Sequence, residues 1–186
     1  LMPQHTDESN HTIIVGHGRV GSLVADMLER HGQPYLATDT DVASVAEQRR
    51  RGRPVYYGNA TEPGYLERCG LDAARALVLT IHDQKAINSI VEHVRASHPK
   101  LTIVARARDA DHARHLYALG VTDAVPETIE ASLQLSEAVL VGIGVPAGPV
   151  IASIHERRDE FRHKFQEAAQ KAGRPMSRSM RPSMRR

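Results

Sequence analysis

Cysteine, aromatic residues and long apolar runs are scarce in this sequence, and each shortage narrows the classes of protein that it can encode. A single cysteine, Cys69, cannot form a disulfide within the chain, which excludes a disulfide framework and fits a reducing compartment. Because Cys69 stands near a predicted helix end before Gly70, we expect a buried structural thiol rather than a reactive one. Aromatic residues make up only 4% of the chain, so branched aliphatic residues and alanine must form the core. Such a core suits a parallel sheet that is buried on both faces.

The sequence lacks a segment of the kind that spans a membrane. Its most apolar stretch, residues 138–152, contains three glycines and two prolines and is shorter than the roughly 20 residues that a bilayer requires. Residues 1–10 are polar and do not form a signal peptide. Because the sequence starts with Leu1 instead of methionine, we expect it to be a piece of a longer protein.

Positive charge is concentrated at the C-terminal end of the chain. Residues 173–186 contain five arginines and no acidic residue, and removing these charges from the formal net charge of +2 leaves −3 for residues 1–172. The pI of about 8.9 therefore comes from this tail and does not indicate a nucleic-acid partner. We expect residues 1–10 and the basic tail to be disordered, with contact to acidic lipid headgroups as the alternative for the tail.

Short apolar segments alternate with amphipathic helical segments along the chain. The predicted strands are residues 12–15, 34–39, 54–57, 76–81, 101–105 and 122–125. The predicted helices are residues 19–31, 42–51, 62–69, 84–97, 109–119 and 126–141. We expect Asp109 to cap the fifth of these helices and Pro126 to lie in the first turn of the sixth. Repeated strand–helix–strand units predict an α/β protein with a doubly wound parallel sheet of about six strands.

A break rich in glycine and proline, residues 142–149, precedes one more predicted helix over residues 150–171. The apolar positions of this helix form only a thin stripe, so it could pack on its own sheet or on a second subunit. The stripe consists of Ile151, Ile154, Phe161 and Phe165. We therefore divide the chain into an α/β domain (11–145) and a C-terminal helical arm (146–172), flanked by end segments 1–10 and 173–186.

The strongest local signal is GHGRVG at residues 16–21, directly after the first strand and at the start of the first helix. In that position Gly16 permits a tight turn, Gly18 lets the backbone approach a phosphate, and Gly21 lets the helix pack closely on the sheet. Free N–H groups at the helix start can donate to an anion, and Arg19 adds a positive charge. These features predict a Rossmann nucleotide-binding domain whose phosphate-binding residues are Gly16, His17, Gly18, Arg19, Val20 and Gly21.

A carboxylate at the end of the second predicted strand is the expected partner of this turn. Asp39 follows Gly21 by 18 residues, close to the distance of about 20 at which such domains place the acid that binds ribose hydroxyls. A carboxylate there repels a 2′-phosphate, which favours NAD-type or plain adenosine ligands over NADP. Thr40 is included in the predicted site, whereas Asp41 is expected to cap the following helix.

Residues at the ends of the third and fourth predicted strands complete the predicted site, because ligands lie at the carboxyl ends of such strands. Asn59 could hydrogen-bond an adenine edge beside Ala60, or it could be a turn or helix-cap residue. Thr80 could contact a phosphate or cap the following helix.

Other combinations of residues do not predict a metal site or a catalytic site. Asp111, His112 and His115 are close on one predicted helix, but the eleven histidines and the cysteine show no H-x-x-x-H or C-x-x-C spacing. No nucleophile elbow stands out, and Tyr56 and Tyr57 have no lysine nearby on a plausible helix, so we expect no enzyme.

Two arginines follow the fifth predicted strand and leave two interpretations open. Arg106 and Arg108 could bind a second anionic ligand, or they could form surface ion pairs with Asp109 or Asp111.

Five short segments follow one another along the chain: GHGRVG, ATDTD, YYGNAT, LTIHDQ and ARARDADH. Together they resemble the regulator-of-potassium-conductance, or TrkA-N, domains of bacterial cation transport. The sequence is most similar to the C-terminal domain of Kef-type potassium efflux systems and other monovalent cation:proton antiporters. The resemblance covers residues 11–145 and, more loosely, the arm to residue 166.

The resemblance implies a homodimeric domain on the cytoplasmic face of the bacterial inner membrane. It would be attached to a transmembrane cation:proton antiporter, of the same or another chain, and would gate transport by binding AMP, another adenine nucleotide or NAD(H). The resemblance assigns the glycine turn to the phosphate, Asp39 to the ribose and Asn59-Ala60 to the adenine, although many relatives have aspartate in place of Asn59. A stand-alone Trk-type subunit and a small NAD-dependent oxidoreductase are the alternatives.

Kef systems also respond to glutathione, through one arginine of the glycine turn and basic residues of the helix after ARARD. Arg19 matches the first of these, but His115 and Tyr117 stand where basic residues are expected in the second. The resemblance therefore does not extend to glutathione control.

Overall fold

The computed structural model describes residues 9–173, in which six parallel strands alternate with seven α-helices. The strands are β1 (Thr12–Val15), β2 (Tyr35–Asp39), β3 (Val55–Tyr57), β4 (Ala76–Leu79), β5 (Thr102–Ala107) and β6 (Asp123–Pro126). The helices are α1 (Arg19–Arg30), α2 (Val42–Arg50), α3 (Tyr65–Arg68), α4 (Gln84–Ser97), α5 (Ala110–Leu119), α6 (Glu127–Gly142) and α7 (Ala147–Gly173). The doubly wound parallel sheet predicted from the sequence is confirmed.

The strand order is β3-β2-β1-β4-β5-β6, so the chain moves outward in one direction from β1 and in the other from β4. In register, Val15 at the end of β1 lies between Thr38 of β2 and Leu79 of β4. Connections that leave the sheet in opposite directions from two neighbouring strands create a crevice at their carboxyl ends. The fold therefore places a crevice directly above the glycine turn.

The core lies on both faces of the central strands. Ile13 and Ile14 are adjacent on β1 and face opposite sides of the sheet, yet both are fully buried. Cys69 belongs to the larger of the two cores and is also fully buried, which confirms the structural thiol. Burial raises the pKa of this thiol to about 12, so it is protonated and unreactive at neutral pH.

Pro126 lies one element earlier than predicted. It is the last residue of β6, and α6 begins at Glu127. The backbone at Pro126 is extended (φ −78°, ψ 116°), and β6 is an edge strand, where a residue without an N–H group is tolerated.

The arm helix α7 begins at Ala147 and not at residue 150. Gly148 and Pro149 lie in its first turn. Backbone N–H groups in the first turn make no hydrogen bond within the helix, so the proline, which lacks an N–H, is tolerated there. Ile154 packs with α6, and Phe165 is inserted into the main core. The arm therefore packs on its own domain, which was one of the two alternatives.

The predicted end segments, 1–10 and 173–186, lie almost entirely outside the described residues, because residues 1–8 and 174–186 are not described. Within residues 9–173, no helix combines the length and the apolar character needed to cross a bilayer.

Candidate functional site

The glycine turn is shaped by close contacts at its first and last glycines. Gly16 has a φ of +98°, and a Cβ there would lie 2.6 Å from Oγ1 of Thr80. A Cβ on Gly21 would lie 1.9 Å from the carbonyl oxygen of Gly16, so the first turn of α1 rests directly on the loop. Neither position can accept a side chain without movement of the backbone or of Thr80.

The middle of the same turn is open. A Cβ on Gly18 would meet no atom within 4 Å, and Gly18, Arg19 and Val20 are all exposed. Gly18 is the N-cap of α1 and no side chain caps this helix. The first N–H groups of the helix therefore have no intrahelical acceptor and, with the helix dipole, can bind an anion.

Asp39 connects the end of β2 to the glycine turn. Its Oδ2 accepts a hydrogen bond from the backbone N–H of His17 (2.8 Å), and its Oδ1 accepts one from the N–H of Asp41 (2.9 Å). Each carboxylate oxygen retains a lone pair that can accept from a ribose hydroxyl. Asp41 in turn accepts from the N–H of Ser44 (3.1 Å), which confirms its predicted role as the cap of α2.

The side chain of His17 is buried beneath the loop. It is 4% exposed, and neither ring nitrogen has a hydrogen-bond partner among residues 9–173. Burial lowers the pKa of this imidazole, and the positive charge of Arg53 lowers it further, against opposing contributions from Asp39 and Asp26. His17 therefore offers the site its backbone and remains neutral at pH 7.

Acidification is expected to destabilise the wild-type protein more than His17→Leu. The unfolded chain takes up a proton at His17 near pH 6.5, whereas the folded protein does so only at lower pH. Stability therefore falls as the pH drops below about 6.5, by at most about 1.4 kcal/mol per pH unit from this residue. Urea unfolding of both proteins at pH 7.5 and 5.5 measures the difference, and an identical pH dependence would contradict it.

A cleft of about 540 Å³ lies at the carboxyl ends of the four strands β1 to β4. Its walls include five predicted site residues, namely Gly16, Asp39, Thr40, Asn59 and Ala60. The opposite wall, which sequence reasoning missed, contains Ile81, His82, Lys85, Ala86 and Ile90. Two features of the sequence could have indicated this wall. Ile81 and His82 follow closely on β4, and Ala86 and Ile90 are four residues apart and so lie on the same face of α4. The cleft thus joins Gly16, the carboxylate and the third strand end, whereas the other predicted residues of the glycine turn, 17–21, do not line it.

The structure contradicts one of the two predicted roles of Thr80, that of capping the following helix. This residue is 6% exposed, and its hydroxyl donates towards the carbonyl oxygens of Val15 (2.9 Å) and Gly16 (3.0 Å). Since a hydroxyl has one proton, Thr80 shares it between these two carbonyls, and its contact with a phosphate stays a prediction. The cap of α4 is Asp83, which accepts from the N–H of Ala86 (3.1 Å). Thr80 instead supports the glycine turn from behind.

Asn59 forms a turn with its side-chain oxygen. Oδ1 accepts hydrogen bonds from both the N–H (2.9 Å) and the hydroxyl (2.6 Å) of Thr61. The amide nitrogen is not used in this turn, so a contact with a base through that nitrogen stays a prediction.

Arg106 does not pair with Asp109 or Asp111. Its guanidinium forms an ion pair with Glu127 and donates from Nη1 to the carbonyl oxygen of Thr80 (3.0 Å). Arg108 is largely exposed, with Nε 4.0 Å from Oδ2 of Asp109. The side chain of Asp109 caps α5, as predicted.

Asp111 and His112 of α5 have structural partners. Asp111 pairs with Arg114, and the buried His112 accepts from the N–H of Arg108 (3.2 Å) and lies 3.0 Å from Oδ1 of Asn88. Across residues 9–173, no three His, Cys, Asp or Glu side chains are grouped so that they could hold a metal ion.

The strand order, the glycine turn and the carboxylate at the end of β2 together define a Rossmann-type domain. The family model of the TrkA-N domain matches residues 12–127. The chain therefore belongs to the TrkA-N domain family, as the sequence motifs indicate.

The chain is similar to proteins that are named as potassium efflux antiporters. The chain is 38% identical over 148 residues to "Putative K(+) efflux antiporter KefB" of Alkalimonas amylolytica, which covers 80% of this chain and 22% of that protein. The chain thus spans about a fifth of the length of this relative. The relative is described as an antiporter and not as an enzyme.

Two similar solved structures are of nucleotide-bound proteins. The C-terminal domain of Kef from Shewanella denitrificans, in its AMP-bound form, matches with a TM-score of 0.74 and 28% identity over 87% of this chain and 99% of that chain. The GsuK channel bound to NAD matches with a TM-score of 0.66 and 26% identity over 76% of this chain and 25% of that chain.

Proposed function

We propose that this chain is the cytoplasmic regulatory domain of a bacterial antiporter that exchanges potassium, or another monovalent cation, for protons. In this proposal it binds AMP, NAD(H) or another adenine nucleotide to gate transport and catalyses no reaction. The observation that carries the proposal is the hydrogen bond between Asp39 and the N–H of His17, because it fixes the ribose acid against the phosphate turn in one cleft. The AMP and NAD named for the two similar structures support the ligand class.

The proposed ligand follows the strand ends across the cleft. Its phosphoryl group accepts hydrogen bonds from the N–H groups of Gly18 to Val20 and faces the Arg19 guanidinium. The ribose hydroxyls donate to Asp39, and the base lies between the Asn59-Ala60 turn and the Ile81 wall. In this arrangement Gly18 is open because the phosphate occupies the space above it.

Gating requires that the nucleotide binds two arrangements of the protein with different affinity. We propose that a nucleotide at the strand ends fixes the position of the sheet relative to the α6–α7 hairpin. The hairpin would pass the change to a transmembrane antiporter domain, of the same or another chain.

We infer a homodimer that uses the outer face of this hairpin. Large apolar side chains are exposed there, with Leu135 69%, Val139 60% and Ile143 73% accessible. Such a contiguous apolar surface is typical of a protein interface, and a second copy can cover it symmetrically.

Sedimentation velocity tests the dimer. We expect wild type to sediment as a dimer and the double variant Leu135→Lys/Val139→Lys as a monomer, because buried lysines would lose hydration. The control Leu23→Lys changes an equally exposed leucine on α1 (62%) and should leave the dimer intact. A monomeric wild type, or a dimeric double variant, would contradict the inferred interface.

Mass spectrometry of the purified protein tests the proposed ligand. Protein purified without added nucleotide is denatured, and the released small molecules are identified and quantified. We expect AMP, NAD(H) or another adenine nucleotide from wild type, and much less from Asp39→Ala. Equal recovery from both proteins would show that the nucleotide is not held at this site.

A further inference from the structure

The glycine turn is joined to the start of α6 by a continuous series of polar contacts. The Thr80 hydroxyl lies within hydrogen-bond distance of the carbonyl oxygens of Val15 (2.9 Å) and Gly16 (3.0 Å) and donates towards both, and the Thr80 carbonyl accepts from Nη1 of Arg106 (3.0 Å). The same guanidinium forms an ion pair with Glu127, the first residue of α6. Four residues thus connect the proposed phosphate site with the hairpin: Gly16 and Thr80 directly after β1 and β4, Arg106 in β5 and Glu127 in α6.

The position of Arg106 distinguishes it from a surface arginine. Its side chain is only 16% exposed, and its planar guanidinium binds an acceptor on each of two elements. The nearby Arg108 and Arg114 are far more exposed, at 76% and 43%; Arg108 lies beside Asp109, whereas Arg114 pairs with Asp111 and lies over the ring of Phe165. A partly buried guanidinium fixes the distance between its two acceptors more firmly than an exposed ion pair would.

We propose that Arg106 is a positioning residue that couples nucleotide binding at the glycine turn to the ordering of α6. A phosphoryl group on the turn restrains the Gly16 carbonyl, and Thr80 and Arg106 transmit this restraint to Glu127. The carboxylate of Glu127 also stabilises the positive end of the α6 dipole, so its placement bears on the first turn of the helix. This inference rests on the proposed nucleotide site and adds the route by which that site reaches the hairpin.

Hydrogen exchange with and without AMP, together with calorimetric titration, tests the coupling. In wild type, saturating AMP is expected to slow amide exchange about tenfold both in the glycine turn and in the first turns of α6, a factor typical of modest coupling. Arg106→Met should still bind AMP and protect the glycine turn, but should lose the protection of α6. The control Arg108→Met removes a nearby, largely exposed arginine that takes no part in the contacts from Gly16 to Glu127, and it should behave as wild type.

A second variant keeps the test valid if Arg106→Met fails to fold. Glu127→Gln removes only the charge at the last contact and should likewise bind AMP without protecting α6. Unchanged protection of α6 in a folded variant that binds AMP would overturn the coupling. If wild type binds NADH but not AMP, the same exchange experiment is run with NADH. Absence of binding by both ligands would instead overturn the proposed site, so the two failures are distinguishable.

Discussion

Replacing Gly21 with alanine is expected to destabilise the protein by about 3 kcal/mol or more, because overpacking against backbone cannot be relieved by a rotamer change. The added Cβ would lie 1.9 Å from the carbonyl oxygen of Gly16 and 2.9 Å from the hydroxyl of Thr80. Either α1 must move away from the sheet or the glycine turn must open. Thermal unfolding followed by circular dichroism should show a midpoint lower by roughly 6–12 °C.

Gly18→Ala is the matched control, since it adds the same methyl group three residues earlier. A Cβ at Gly18 meets no atom within 4 Å, and its φ of −83° is accessible to alanine. We expect its stability to stay within about 1 kcal/mol of wild type. Equal midpoints for Gly21→Ala and wild type would show that α1 does not rest on the loop as described.

Truncation of Phe165 to alanine is expected to cost about 3–5 kcal/mol of unfolding free energy, as for other buried phenylalanines. Phe165 is 4% exposed, lies in the main core and stacks on Phe161 with ring centroids 6.1 Å apart. Arg114 of α5 also lies over its ring, 5.7 Å from the centroid. The arm helix is thus held by a large buried side chain and not only by the exposed ion pairs along it.

Urea unfolding measures this loss, and Lys164→Ala serves as control because Lys164 precedes Phe165 on α7 and is exposed. The control should change the free energy of unfolding by less than about 1 kcal/mol. A wild-type midpoint for Phe165→Ala would mean that α7 is not part of the folded core.

The elements were predictable where local pattern and local caps agree. Helix α5, predicted over residues 109–119, runs from Ala110 to Leu119, because Asp109 caps its first turn as predicted. At Pro126 the same rules failed. Proline suits both a first helical turn and an edge strand, and only the pairing of β6 with β5 decides between them.

The candidate site was likewise predictable only where its residues are indicated by spacing along the chain. The glycine turn and Asp39 follow from spacing along the chain, and the structure joins them through one hydrogen bond. Thr80 was misjudged because its partner, Gly16, is 64 residues away and becomes a neighbour only when β4 pairs with β1. The Arg106–Glu127 ion pair is a long-range contact of the same kind, and no local rule indicates it.

Calorimetric titration with AMP and with NADH tests the nucleotide site most directly. The proposed site predicts that at least one of them binds to wild type. Asp39→Ala, which removes a charged acceptor from the ribose, should weaken that binding about 10- to 100-fold. Gly18→Ala should weaken it by a similar factor while leaving the fold intact, because its methyl group occupies the space above the turn. Equal affinity in wild type and both variants, or no binding to wild type by either ligand, would contradict the proposed site.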